Sequence, residues 1–396
     1  MSNSILTPTA VTREALRILH QKLNFVGSIN RQYDDSFAKS GAKIGTSLKI
    51  REPNQFSVRT GKTLDAQDIS EASQTLTVAT QKGVDVNFSS AELTMSLDDF
   101  GKRILDPMMS VLASAIEADA MSMKNDVYNA IHDNGNAITY GDVLDGRVLL
   151  QRGLASTGDR TANMNSTDMA DLVKDTKALF NHTAEIGKQY KEGFMGRAAG
   201  FDFVENTLWA GFTRGSANAS YVCNTSTGIT SGTAEIVVTT GTGTFVVGDI
   251  ITVEGVYSVH PESKASTGVL QPFVVTTASA GGSVTLAVSP TPITSGAKQN
   301  VTIVSAGASK AVTVSGTASA DYTTSLLYQK DAFTFVTADL MMPSGVDWAK
   351  REVLDGISMR IIRDYDINND NLPCRIDVLY GYKTLCPQWA TRLHFN

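Results

Sequence analysis

The chain has 396 residues, of which 42% are hydrophobic and 19% charged, and its net charge is −6. That length exceeds one ordinary core, so two or three domains are expected. The acidic balance argues against strong phosphate neutralisation, since cations occur only as scattered pairs such as Lys102-Arg103 and Lys350-Arg351.

Met1 to Ala10 is short and polar with no apolar run, so no secretory leader is expected. No stretch approaches the roughly 18 apolar residues of a spanning helix. A soluble chain that stays in the cytoplasm where it is made is the expectation. Cys223, Cys374 and Cys386 lie too far apart for a disulfide framework or a metal knuckle and read as reduced thiols.

In chain order, Thr12 can cap a helix whose Ala15, Leu16, Leu19 and Leu23 form one apolar stripe ended by Gly27. Little nearby sequence can cover that stripe, so its surface lies elsewhere, on the same subunit or on a partner. Ser47 to Thr60 and Ser73 to Phe88 alternate and are rich in Val, Ile and Thr, with a polar tip from Lys62 to Ser70. They predict a long two-stranded hairpin, which is marginal alone in water and should lie on another subunit. Ser96, followed by Asp98 and Asp99, caps a short segment, and Asp106-Pro107 restarts the helix. From there Met108, Leu112, Ile116, Ala120, Met123, Val127 and Ile131 track one face to about Asp133, a strut of roughly 40 Å at 1.5 Å per residue. Ser166-Thr167-Asp168 caps a further helix carrying Met169, Leu172, Val173, Thr176, Leu179 and Phe180. Gly196 to Val204 reads as a turn entering a buried strand.

At about residue 216 the composition breaks. Between Ser216 and Leu327 only eight residues are charged, and Met and Trp vanish, which sets the stretch apart from its flanks. Short Val/Ile/Thr runs recur there at Ile236–Thr240, Asp249–Val253, Phe273–Thr277, Ser283–Val288, Val301–Val304 and Ala311–Val314. Such spacing describes a small antiparallel barrel or sandwich inserted into an α+β host. Beyond Tyr328 the mixed composition resumes, and Ile357–Ile362 and Arg375–Tyr380 should pair as strands around an acidic loop.

Catalytic signatures do not emerge. No phosphate loop, nucleophile elbow or zinc-protease helix occurs, and Gly241-Thr242-Gly243 lacks the third glycine and the following helix of a nucleotide fingerprint. His20, His132, His182, His260 and His394 are dispersed and read as individual core or surface residues. Asp364, Asp366 and Asn368 fit three positions of a calcium loop, but Asn369 and Arg375 stand where glycine and glutamate belong, so a polar turn is the reading. Neither enzyme activity nor a metal or other cofactor is expected.

The order of parts resembles the Hong-Kong-97-type phage capsid fold. More narrowly it resembles the coat proteins of short-tailed phages infecting Salmonella and relatives, which carry an inserted domain. Gly200-Phe201-Asp202-Phe203-Val204, Gly248-Asp249-Ile250-Ile251-Thr252-Val253-Glu254-Gly255-Val256 and Cys374-Arg375-Ile376-Asp377-Val378-Leu379-Tyr380-Gly381-Tyr382 carry the narrower likeness. The resemblance implies an N-terminal arm (1–42), an extended loop (43–90), a peripheral domain with a spine helix (91–134) and an axial domain (135–215). It further implies an inserted all-β barrel or sandwich (216–327) and a return to the axial and peripheral domains with C-terminal strands (328–396).

By the same resemblance the chain is a major capsid protein. It would assemble in a host cytoplasm with a scaffolding protein into a precursor shell of hexamers and pentamers, with a portal protein at one vertex. That shell would then mature into an icosahedral virion head around double-stranded DNA, with a decoration protein as an optional addition and no membrane. Another structural virion protein, a decoration or tail component, is the alternative. The loop tip, Lys62, Asp65, Asp68 and Glu71, is expected to touch a neighbouring subunit. Arg13, Arg17 and Lys22 on the arm are assigned to scaffolding or inter-subunit contact, with DNA second, and duplex DNA should be held only weakly and without sequence preference.

Overall fold

The computed structural model describes residues 8–34, 46–56, 58–59, 61–64, 66, 73–88, 101–132, 135–176, 196–218, 220–304, 306–354, 356–367 and 372–395. It divides into two compact units, both mixing helix and strand. The first comprises Met1–Arg51, Ser73–Ser122 and Phe333–Leu385, the second Glu52–Ala72, Met123–Ala332 and Cys386–Asn396.

In the first unit, α1 (Pro8–Lys22) and the single turn α2 (Phe25–Ser28) precede β1 (Asn30–Asp34). The helix begins at Pro8, whose fixed φ suits a first turn, so Thr12 sits buried one turn inside instead of capping it. Its end is also earlier than expected, at Lys22, and Gly27 falls within α2. The stripe Ala15, Leu16, Leu19 and Leu23 is buried, and α1 packs on α3 (Asp106–Met121) and on β19 (Trp348–Leu354). Its cover is therefore its own chain. Glu117 of α3, 1% exposed, accepts the amide of Phe25 at Oε2 and that of Val26 at Oε1, both at 3.0 Å.

The helix that starts at Asp106 is shorter than its periodicity predicts. A π-helical turn, Gly101–Leu105, leads into α3, which ends at Met121 and tightens into a 3-10 turn over Ser122–Asp126. Ser122 Oγ there donates to the carbonyl of Asp119 at 2.6 Å, and Asn125 and Asp126 are weak helix formers. Ile131, assigned to the same stripe, lies in a strand. The segment at Ser96, Asp98 and Asp99 lies outside the described residues.

The six-stranded sheet of this unit runs β1, β18 (Phe333–Ala338), β21 (Leu372–Thr384), β20 (Ile357–Arg363), β19, with β4 (Thr80–Phe88) also on β21. The expected pairing of the C-terminal runs holds, with Arg360 opposite Asp377 and Arg363 opposite Cys374. The hairpin is corrected. β2 (Thr46–Arg51) pairs with β3 (Ser73–Val78), but the chain then leaves the ribbon, and β4 pairs with β21 from Thr80–Tyr380 to Phe88–Leu372. The long edge of β21 supplies more backbone hydrogen bonds than an isolated ribbon could. Leu76 and Val78 bury against Val336, Leu340 and Leu379, so the ribbon's base rests on its own unit.

In the second unit a sheet runs β5 (Ala130–His132), β22 (Ala390–Phe395), β17 (Asp321–Gln329), β6 (Arg160–Met164), β8 (Phe201–Glu205), β7 (Arg197–Ala198), with β9 (Phe212–Thr213) also on β17. Ala199 and Gly200, at φ 52° and 86°, form the two-residue turn between β7 and β8, a primed hairpin geometry that buries Phe201 and Phe203. Among the described residues two α-helices accompany this sheet. α4 (Tyr140–Arg152), which no periodicity announced, starts at a capping box in which Thr139 N donates to Asp142 Oδ2 at 2.8 Å. α5 (Ser166–Thr176) is capped by Asn165, whose Oδ1 accepts the Thr167 amide at 3.0 Å. Asp168 instead turns to the sheet and accepts from Thr323 and Ser325 of β17.

A six-stranded ring closes within this unit: β10 (Val222–Cys223), β11 (Glu235–Thr239), β14 (Val284–Ser289), β13 (Ser266–Val275), β12 (Ile250–Val259) and β16 (Lys310–Val314), with β15 (Val301–Ile303) on β12. All six runs expected there are strands, and β10 is added to them. Its interior is filled by apolar side chains including Tyr221, Ile236, Phe245, Val253, Phe273 and Leu286. Chain entry and exit run side by side, Phe212–Thr213 opposite Asp321–Tyr322. The expected limit at residue 327 therefore falls inside β17, a host strand, while the ring's own pairings end at Val314.

Glu117→Ala should leave the Phe25 and Val26 amides buried without acceptors and cost about 1–3 kcal/mol. Urea unfolding gives the total, and hydrogen exchange should show the loss first at those two amides. Unchanged protection there would contradict the assignment.

Candidate functional site at the arm, the extended loop and the barrel root

On α1, Arg13 and Arg17 stand one turn apart. Arg13 Nε lies 3.7 Å from Glu352 Oε1 on β19. Arg17 donates to Glu14 through Nη2 at 2.5 Å and Nε at 3.0 Å, and this bond holds the Glu14 carboxyl below its ordinary range. Lys22 is exposed and, five residues past Arg17, lies about 140° round the helix. The structure thus groups two of the three arm cations with acids of their own unit and leaves the third on another face.

On the loop, every described residue from Pro53 to Ala66 is exposed, Lys62 among them. Three are large and apolar: Phe56 at 58%, Val58 at 94% and Leu64 at 82%. Asp65, Asp68 and Glu71 lie outside the described residues.

A third cluster has no precursor in the linear motifs. β5 and β22 run parallel with His132 beside His394, and their rings stack at 4.7 Å. Phe212 lies 4.9 Å from the His394 ring, Tyr322 5.6 Å from His132, and the Arg392 guanidinium 5.7 Å from Phe212. Lys124, Arg214 and Arg392 are all buried here. Burial lowers Lys124 to about 8 and Arg392 to about 9. Burial, reinforced by Arg392 and Arg214, lowers His132 to about 3, and burial reinforced by Arg392, His132 and Lys124 keeps His394 well below its usual range. Asp249, from the Gly248–Val256 motif, is buried and accepts the Gly215 amide at 3.1 Å and the Val246 amide at 2.9 Å. The two histidines read as dispersed because only strand pairing brings them together. Alternation on β22, with Arg392 and His394 on one face, was the available signal.

The three cysteines are free thiols, each raised to about 11 by burial, which leaves them protonated at neutral pH. No group of residues able to hold a metal ion occurs among the described residues, and none of the described helices is long and apolar enough to cross a membrane.

A model of the P22 coat protein, gene protein 5, matches residues 29–392. The chain is thus a viral coat protein, a structural subunit of a phage head. It belongs to the P22 coat protein family. No curated protein matches it. Among solved structures, one from Mycobacterium phage Che8 is 12% identical with TM-score 0.45, covering 94% of this chain and 90% of that one. The capsid structure of the cyanophage P-SCSP1u is 12% identical with TM-score 0.46, covering 93% and 86%. The head structure of Helicobacter pylori bacteriophage KHP40 is 10% identical with TM-score 0.43, covering 89% and 85%.

Because folded His132 stays neutral to about 3 while an unfolded histidine takes a proton near 6.5, stability should fall as pH drops through that window. From about pH 7 to about pH 5 the loss traceable to His132 should be about 2 kcal/mol. Chemical unfolding at both pH values should show His132→Gln losing less stability than the parent. Equal losses would sever His132 from the effect.

Proposed function

We propose that this coat protein builds an icosahedral head of hexamers and pentamers around double-stranded DNA, first as a scaffold-assisted precursor shell that then matures by rearrangement. In that reading the first unit serves as arm and peripheral domain, with α3 as spine helix. The second unit serves as axial domain carrying the barrel as an insertion, and the segment between β2 and β3 is the extended loop that reaches a neighbour.

The loop carries the proposal. A run with Phe56, Val58 and Leu64 all exposed is covered by nothing among the described residues, and an apolar excursion of that kind supports an interaction surface. Lys62, Asp65, Asp68 and Glu71 would add ion pairs worth about 0–1 kcal/mol each, weak singly but multiplied over a shell. Arg13, Arg17 and Lys22 serve scaffolding or inter-subunit contact, and the portal and a decoration protein are the remaining protein partners. Packaged DNA meets an acidic protein of net charge −6, so its contact is weak and non-specific.

Electron microscopy of the purified chain should show shells of uniform diameter. The double charge reversal Lys62→Glu with Asp68→Lys should reduce their yield while thermal unfolding of the unassembled subunit stays nearly unchanged. Normal assembly by that variant would overturn the loop's role.

The barrel has a core of its own, so residues 215–320 expressed alone should give a β-rich circular dichroism spectrum and one cooperative melt. A disordered fragment would show that the ring needs its host.

A further inference from the structure

An ion moved from water into a protein interior loses its solvation, so buried cations are ordinarily paired. At the barrel root no described carboxylate forms a salt bridge with them, although Asp249 acts on Arg214 and Arg392 through space. Lys124, Arg214 and Arg392 are 7%, 5% and 0% exposed, and the groups bonded to them are carbonyl oxygens. Lys124 donates to Ala210, Arg214 Nη2 to Ala217 at 2.9 Å, and Arg392 Nη2 to Gly248 at 2.8 Å. The one buried carboxylate nearby, Asp249, receives backbone amides. Asp126, the other acid near Arg392, is exposed. Arg392 Nε and Nη1, Arg214 Nε and His394 Nε2 are buried and have no hydrogen-bond partner among the described residues.

We propose that the barrel root binds a single small anion of the halide class, with Arg392 as its principal donor and Arg214 and Lys124 as supporting charges. The site joins separate parts of the second unit, since Arg392 comes from the last host strand, Arg214 from the barrel's entry and Lys124 from the turn after Met123. Gly248, at φ 100°, belongs to it as well. A Cβ there would stand 3.3 Å from Arg392 Nη1 and 3.1 Å from Phe212, so glycine lets the guanidinium reach the barrel's backbone. The donor pattern selects the ion's shape. The two nitrogens left without a partner, Nε and Nη1, do not share an edge, and Nη2, which completes either edge, gives one of its two N–H groups to Gly248. Single N–H groups suit a spherical ion. Bound there, the anion offsets the cations and fixes the barrel's root to the host sheet, a role independent of the loop contacts proposed above.

The test uses the full-length unassembled subunit in sodium chloride or sodium gluconate at equal ionic strength. Chloride at ten times its dissociation constant should multiply the folding constant about elevenfold. It should raise the melting temperature saturably and broaden the chlorine NMR line. Arg392→Gln should abolish the chloride-specific shift and the broadening, while Arg13→Gln, remote in sequence, should keep both. Should Arg392→Gln fail to fold, Arg214→Gln is expected to weaken chloride binding and leave the gluconate melt in place. Equal melting in the two salts with no excess linewidth overturns the proposal and leaves the free donors to water.

Discussion

Two carboxylates on α3 organise the first unit. Glu117 and Asp119 are two residues apart, about 200° round the helix, and so face opposite ways. Glu117 holds the start of α2 through the Phe25 and Val26 amides. Asp119 Oδ2 accepts from Tyr380 Oη of β21 at 2.6 Å and lies 2.7 Å from Lys82 Nζ of β4. One helix thereby fixes the arm on one side and the register of two sheet strands on the other. Burial and the bond to Asp119 raise the Tyr380 hydroxyl, which keeps it a donor at any ordinary pH. Apolar contact alone would let α3 slide along its stripe, whereas two directional bonds to separate elements set its position.

The same two bonds explain the fate of the ribbon. Gly83 of β4 lies where a Cβ would run into the Ile376 carbonyl and the Asp377 side chain, so glycine there lets the strand lie against β21. Lys82 beside it reaches Asp119 and the Ala115 carbonyl, the latter at 3.3 Å. Alternation in Ser73–Phe88 is consistent with one strand or two, since both halves keep period two. The choice is made by β21, some three hundred residues further along the chain (roughly, and far beyond any local window).

What the sequence made legible was what neighbours in sequence decide. The stripe of α1, the short Val/Ile/Thr runs of the barrel and the strand pair around the acidic loop all rest on local period and composition, and all are present. Residues that fail this test are those whose partner is remote. Ile131 keeps helical spacing with Met108 and Ile116, yet it pairs with Leu393 in a parallel strand. Asp168 stands where a cap belongs, yet Thr323 and Ser325 take it. Thr139 and Asp142 form a proper capping box ahead of α4, but Gly141 and Gly146 dilute the apolar pattern behind it, and a Cβ at Gly146 would push against the end of the Leu327 side chain. The buried charged cluster was the least visible of all, because its members come from positions 124, 132, 214, 249, 392 and 394.

Arm and loop differ in a way that bears on how a coat protein remains a subunit before it joins a shell. The apolar stripe of α1 is already buried on its own unit and offers no adhesive face. The loop keeps Phe56, Val58 and Leu64 in water, none of them yet covered by a described residue. Exposed apolar residues of this kind are tolerated singly in solution and become favourable only when a complementary surface takes several at once. Weak contacts that act together give assembly its cooperativity, because each pairing is reversible until neighbouring pairings hold it in place. A fully preformed apolar face would bind the first partner it met, in any geometry, and would lose the correction that reversibility allows.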